Sequence, residues 1–263
     1  MIVEFVGAPG AGKTTLARSL TRRLKRYGYD VEMPLTYQPG EDRLALDPAG
    51  IVHALRRLTR ALADFGRIGR HPIAYASDIW IAIRLVARLR PQNILWLIRF
   101  GQYLVRMSIL WNVARRDRRA VIFDQGFVQA VCSLALFSGR SEAKSLQQAV
   151  DMVPKPDLVI VLDAPSDVLA SRLCARITQQ SLMERWLEAS VAKNLRAREI
   201  VLTVAELLSC DACKMTRIDT HEVSFEEALN RLESVIIRTA AREPEPELAQ
   251  GDIEPAVQSG FGA

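Results

Sequence analysis

Gly7-Ala8-Pro9-Gly10-Ala11-Gly12-Lys13-Thr14 stands directly after an apolar run, Ile2 to Val6, and opens a segment in which Leu16, Leu20 and Leu24 recur every four residues. Strand, glycine-rich turn and amphipathic helix in that order predict a phosphate-binding loop in the setting such a loop requires. Gly7, Gly10 and Gly12 allow a tight turn whose successive N–H groups point at one anion, an approach that a Cβ would obstruct. The helix opening near Lys13 adds its unsatisfied N–H groups and the positive end of its dipole. Lys13 supplies a mobile ammonium for β- and γ-phosphates, the Thr14 hydroxyl is placed to ligate magnesium, and Thr15 stands beside it as a further phosphate partner. The expected nucleotide-binding set is therefore Gly7, Ala8, Pro9, Gly10, Ala11, Gly12, Lys13, Thr14 and Thr15. Binding follows from this loop, but a reaction does not.

With 263 residues, 49% of them hydrophobic and 25% charged, the chain can bury one large core. No signal peptide is readable ahead of the first strand, and the expected location is cytoplasmic. Cys132, Cys174, Cys210 and Cys213 are too few and too scattered for a disulfide framework. Cys210 and Cys213 have C-x-x-C spacing without the further ligands of a zinc site, and His53, His71 and His221 are isolated. Charge is uneven: residues 1–119 hold 21 Lys+Arg against 9 Asp+Glu, whereas the remainder holds 14 against 21. Most of the excess lies between Ile51 and Arg119 and is arginine, which suits bidentate recognition of phosphate or carboxylate and equally covers apolar surface with its stem. No recognised nucleic-acid module accompanies the basic stretch, so no nucleic-acid partner is expected.

Periodicity alternates between strand and helix, as a parallel sheet covered on both faces demands. Strands are expected at Ile2 to Val6, Asp30 to Leu35, Ala120 to Phe123, Asp157 to Leu162 and Lys214 to Ile218. Helices are expected at Lys13 to Tyr27, at 50–64, 75–90 and 92–117, at Val128 to Phe137, Ser141 to Met152, Ser166 to Arg176, Leu182 to Leu208 and Ser224 to Thr239. The expected fold is α/β, a five-stranded parallel sheet sandwiched by helices, in one domain over 1–240. Within it, about 41–118 forms a helical acceptor region and about 172–190 a lid, and the Pro-rich acidic segment 241–263 reads as disordered.

Other motifs favour a kinase among proteins with such a loop. The strand Ala120 to Phe123 ends on Asp124, whose carboxylate can reach a magnesium water shell or a nucleophile's proton. Gln125 follows, where the commonest motor ATPases place a water-activating Glu. Neither an Asn-Lys-x-Asp segment nor a Leu-Ser-Gly-Gly-Gln run occurs, which weighs against a GTPase and a transporter ATPase. Downstream, Pro156 to Pro165 leads into a helix bearing Arg172 and Arg176, an i,i+4 pair able to converge on one anion. Thr178 to Ser181 reads as a short lid beside them, with Glu184 and Arg185 in it or anchoring it.

With the loop Gly7 to Thr14, the aspartate-ending strand Val121 to Asp124, and Pro156 to Pro165 followed by Arg172, Arg176 and Glu184, the chain resembles P-loop kinases of the thymidylate kinase and deoxynucleoside kinase group over about 1–35 and 118–236. The resemblance implies magnesium-ATP as donor, a closing lid and a homodimer. It also implies that Lys13 and Thr14 hold phosphate and Mg2+, that Asp124 sits at metal and acceptor, and that Arg172 and Arg176 act as lid arginines. One departure concerns the substrate: thymidylate kinases usually carry arginine after the aspartate, to hold the acceptor's phosphate, and this chain has Gln125.

The expected activity is transfer of the γ-phosphoryl of Mg-ATP to a nucleotide or nucleoside, with Lys13, Asp124, Arg172 and Arg176 catalytic, Thr14 and Asp124 at the metal, and Glu41, Asp42 and Arg43 as acceptor-loop candidates. Two alternatives stay open: a kinase for a sugar, glycan or lipid-linked hydroxyl, and an ATP-binding sensor or assembly protein that transfers nothing. Asn93 to Trp111 is broken by Arg99 and Arg106 and does not read as a membrane span. A buried helix at a dimer interface or acceptor site is expected there, with a peripheral membrane face as the alternative.

Overall fold

The structure, a computed structural model, describes residues 1–34, 72–91, 94–178, 191–210 and 213–241. In chain order these form β1 (Ile2–Gly7), α1 (Lys13–Arg26), β2 (Val31–Glu32), α2 (Pro72–Arg88), α3 (Ile94–Arg116), β3 (Ala120–Phe123), α4 (Phe127–Ser138), α5 (Ala143–Asp151), β4 (Leu158–Asp163), α6 (Ser166–Thr178), α7 (Val191–Cys210), β5 (Met215–Asp219) and α8 (Phe225–Ala240). The strands make one parallel sheet in the order β2-β3-β1-β4-β5, so the α/β expectation holds. From β1 at the centre the chain crosses to the edge strand β2, returns to β3 beside β1, and then builds outward on the other side through β4 and β5. The loop after β1 thus lies at the reversal of strand order, where open parallel sheets bind ligands.

Successive strand residues face opposite sides of the sheet, and each side has its own core. Ile2, Val6, Val121, Phe123, Val159 and Val161 pack against α2, α3, α4, α5 and α7. Val3, Phe5, Ile122, Leu158, Ile160, Leu162 and Ile218 pack against α1, α6 and α8. Leu16, Leu20 and Leu24 of α1 are buried, as their spacing predicts. On α3 the buried positions Phe100, Leu104, Met107, Trp111 and Ala114 recur every three or four residues, so this helix presents one apolar face to the core. The helix expected to be buried over Asn93 to Trp111 at a dimer interface or acceptor site is thus buried within the core of the chain itself. No helix among the described residues is long and apolar enough to cross a membrane.

Two boundaries among the described residues differ from expectation by three residues. The second strand spans only Val31–Glu32 rather than Asp30 to Leu35. It is an edge strand, and Pro34 lacks the N–H needed to extend the ladder. Conversely α2 begins at Pro72, which periodicity assigns to the preceding break. A proline fits the first helical turn, where its missing N–H would have had no intrahelical partner. The expected helix at 50–64, the lid segment 179–190 with Glu184 and Arg185, the acceptor-loop candidates Glu41, Asp42 and Arg43, His53, His71 and the tail 242–263 lie outside the described residues.

Candidate active site

β1 hydrogen-bonds to β3 on one side and to β4 on the other, and its register with β4 brings Gly7 opposite Leu162. A Cβ on Gly7 would stand 2.6 Å from the Leu162 carbonyl oxygen, backbone on both sides, so only glycine lets the two strands stay paired where the loop begins. Gly10 and Gly12 have φ of 86° and 89°, the left-handed region that side chains disfavour. The turn is held by the Ala11 N–H donating to the Ala8 carbonyl at 3.1 Å. Gly12 caps α1 without a side-chain hydrogen bond, and α1 has no acidic residue in its first turn. The helix itself thus places no negative charge at its positive end, where an anion would bind.

Lys13 bends over this loop, its Nζ donating to the Gly7 carbonyl at 2.7 Å and to that of Ala8 at 3.1 Å. Thr14 Oγ1 donates to Asp124 Oδ2 at 2.8 Å across 110 residues of sequence. Asp124 is buried, 1% exposed, directly after β3. A hydroxyl and a carboxylate side by side are hard oxygen donors of the kind magnesium takes. Among the described residues no group of three or more His, Cys, Asp or Glu forms a protein cage for a metal. The pair suits a cation that completes its shell with water and phosphate oxygens. Arg172, on α6, reaches the loop from the far side: its guanidinium donates to the Gly10 carbonyl at 3.4 Å, and to the hydroxyl and carbonyl of Thr220 at 3.0 Å each. Four sequence candidates, Lys13, Thr14, Asp124 and Arg172, thus meet at one loop. Arg176 lies one turn further along α6, its side chain outside the described residues, and His221 follows β5 with its backbone N–H on Asp219 Oδ1.

Two residues absent from the sequence-derived set underlie this loop. Glu4 is wholly buried in β1, on the face shared by Ile2 and Val6. Its Oε1 accepts the N–H groups of Gly126 at 3.1 Å and Gln129 at 2.8 Å, and Oε2 has no hydrogen-bond partner. Gln129 Oε1 in turn accepts the Gly7 N–H at 3.0 Å. The space is tight: a Cβ on Gly126 would lie 2.4 Å from the Glu4 carboxyl carbon, which explains glycine at the start of α4. A signal was there to read, since Glu4 is the one polar residue in an apolar strand and Gln129 stands amid the apolar run of α4.

Burial pushes the Glu4 carboxyl up to about 7, against the pull of the backbone N–H groups from Gly126 to Gln129. Tyr103, whose hydroxyl donates to the Gly126 carbonyl at 3.4 Å, is raised above its usual value by burial first and then by the charges of Glu4 and Asp124. A carboxyl with a raised folded pKa binds its proton more tightly in the native state. Its contribution to stability is full below 4.5, its ordinary value, and is lost as pH rises to about 7. Urea unfolding from pH 4.5 to 8 is accordingly expected to show a Glu4-dependent fall in stability on the order of 3 kcal/mol, at about 1.4 kcal/mol for each tenfold difference in proton affinity between folded and unfolded chain. Glu4→Gln keeps the oxygen acceptor and should remove that slope; an unchanged slope in the variant would refute the assignment.

At the end of β4, Asp163 ties the opposite rim together. Arg198 of α7 grips it with Nε–Oδ1 at 2.7 Å and Nη2–Oδ2 at 2.9 Å, and Arg217 Nη2 of β5 reaches Oδ2 at 2.6 Å. Burial alone would raise this carboxyl, but hydrogen bonds from the two guanidiniums outweigh it and hold Asp163 below its usual value. The cluster fixes α7 and β5 on the strand that leads into α6, and so seats the helix carrying Arg172.

No family model and no curated protein matches the sequence. Solved structures similar to this chain include those of a deoxyadenosine kinase from M. mycoides. With bound dATP, that protein is 14% identical over 90% of this chain and 100% of its own, at a TM-score of 0.47. With bound dCTP the identity is 12% over the same shares, at 0.42. With the products dCMP and a flexible dCDP it is 13% over 92% of this chain and 99% of that one, at 0.41.

Proposed function

We propose that this chain is an ATP-dependent kinase that phosphorylates a nucleoside or nucleotide. The observation that carries the reading is the Thr14–Asp124 pair at the foot of a glycine loop whose backbone is free of side chains at Gly7, Gly10 and Gly12. A triphosphate seated on the loop meets the amides of the turn and the start of α1, while Lys13 exchanges the Gly7 and Ala8 carbonyls for phosphate oxygens. Thr14 and Asp124 would hold magnesium, which supplies positive charge to the phosphate oxygens during transfer. Arg172 adds a guanidinium at the Gly10 rim, where it shields the charge and helps exclude water. The neutral Gln125 beside Asp124 gives no charge toward an acceptor phosphate, which favours an uncharged nucleoside hydroxyl over a monophosphate.

The test is transfer of label from γ-labelled Mg-ATP into a panel of deoxynucleosides, ribonucleosides and their monophosphates, alongside a sugar and lipid extract, with Lys13→Ala as blank. Label in a nucleoside or nucleotide, absent with the blank, supports the proposal. Label confined to the sugar or lipid fraction replaces the acceptor, and tight ATP binding with no labelled product overturns the kinase reading in favour of a sensor.

A further inference from the structure

The phosphate loop and the Asp124 turn belong to different strands, and Thr14 meets Asp124 at 2.8 Å only if the two segments keep a common register. Sheet hydrogen bonds between β1 and β3 extend no further than Glu4 and Phe123, three residues short of Gly7. Beyond that point something other than the ladder must set the separation. Gln129 spans the gap. Its side-chain oxygen takes the N–H of Gly7, the first residue of the loop, and its own N–H is fixed on Glu4 Oε1, which also takes the N–H of Gly126, two residues after Asp124. The identity of the Gln129 atom is not ambiguous, because a backbone N–H can only donate and its partner must be the amide oxygen. Three backbone amides from both sides of the site therefore converge on two buried side chains.

We propose that Gln129 is a positioning residue that braces the phosphate loop against the Asp124 turn, with Glu4 as its anchor, and so sets the affinity of the loop for the nucleotide phosphates. The inference rests on the nucleotide-binding reading above. Gln129 touches neither phosphate nor metal; it acts through the Gly7 amide. A loop released at its first residue would lose the alignment of its N–H groups. An N–H left buried without an acceptor costs enough to open the turn in a measurable fraction of molecules.

The brace is tested with Gln129→Met, which keeps length and shape but removes the amide oxygen, and Gln129→Glu, which keeps an oxygen at the same reach. Leu134→Ala, a cavity variant in the same helix, controls for general loosening. Two readouts are used: hydrogen exchange of the Gly7 amide in the nucleotide-free protein, and the dissociation constant of Mg-ATP. Gln129→Met is expected to speed Gly7 exchange and weaken Mg-ATP binding about tenfold. Gln129→Glu should restore slow Gly7 exchange, and Leu134→Ala should lower the melting temperature without selective loss at Gly7. Unchanged Gly7 exchange in Gln129→Met, or Mg-ATP binding equal to wild type, overturns the brace. A wild-type protein that binds no Mg-ATP overturns the proposed function instead, and the brace is then decided by the exchange readout.

Discussion

Asp124→Asn is expected to lower phosphoryl transfer by about a thousandfold or more while leaving the protein folded, because it removes charge and little else. Asparagine is isosteric and keeps an oxygen to accept the Thr14 hydroxyl, now held at 2.8 Å. What disappears is the negative charge at the one buried carboxylate that stands beside Thr14 at the loop. A hard divalent cation prefers anionic oxygen, so magnesium held at Thr14 and Asp124 as proposed would lose affinity, and a proposed acceptor hydroxyl would lose its polar partner. The measurement is kcat/KM for labelled transfer at rising magnesium, together with a thermal melt. Activity within about tenfold of wild type would remove Asp124 from the reaction. Asp163 offers the contrast: it is also a buried carboxylate at a strand end, but two arginines already compensate it. Asp163 is a structural tie between α7 and β5, whereas Asp124 meets a hydroxyl of the glycine loop itself.

The second large effect is on stability. Trp111→Ala should destabilise the fold by about 3–5 kcal/mol, the range for truncating a large buried aromatic. Trp111 is 2% exposed on α3, stacks on Phe123 at 5.2 Å between ring centroids, and meets Phe127 edge-on at 5.2 Å. Those two rings flank the segment that carries Asp124, so the cavity would open directly beneath the site and catalysis should fall along with stability. The indole N–H has no hydrogen-bond partner. Trp111→Phe, which deletes that buried donor while keeping an aromatic ring, should therefore cost much less than the alanine change. Urea denaturation of both variants decides the matter: equal losses would mean that the ring contacts contribute little and that the site tolerates the void.

The sheet, its parallel sense and most helices were legible because their signals are local. An apolar strand, a turn that only glycines can make and leucines at helical spacing each constrain a few neighbouring residues, and one face of Leu16, Leu20 and Leu24 needs no partner to be recognised. The loop residues Gly7 to Thr14 and the strand-end Asp124 were legible for the same reason. Errors fell at element ends. Pro34 stops β2 early and Pro72 starts α2 early, because a proline's effect depends on whether its missing N–H was needed there. Glu4 and Gln129 went unread although each stands out in an apolar context, since what they do is hold amides far away in sequence.

By itself, the sequence determined that a glycine-rich turn would join the first strand to the first helix, and that a carboxylate would end the strand at Phe123, because both follow from backbone conformation and period over a few residues. Only the tertiary structure decided that Thr14 meets Asp124, that Arg172 reaches Gly10, that Gln129 takes the Gly7 amide and that Glu4 takes the amides of Gly126 and Gln129. Those pairings cross 110 to 162 residues of chain. Their geometry is set by the β2-β3-β1-β4-β5 strand order and by close packing on the two faces of the sheet, which no local pattern encodes.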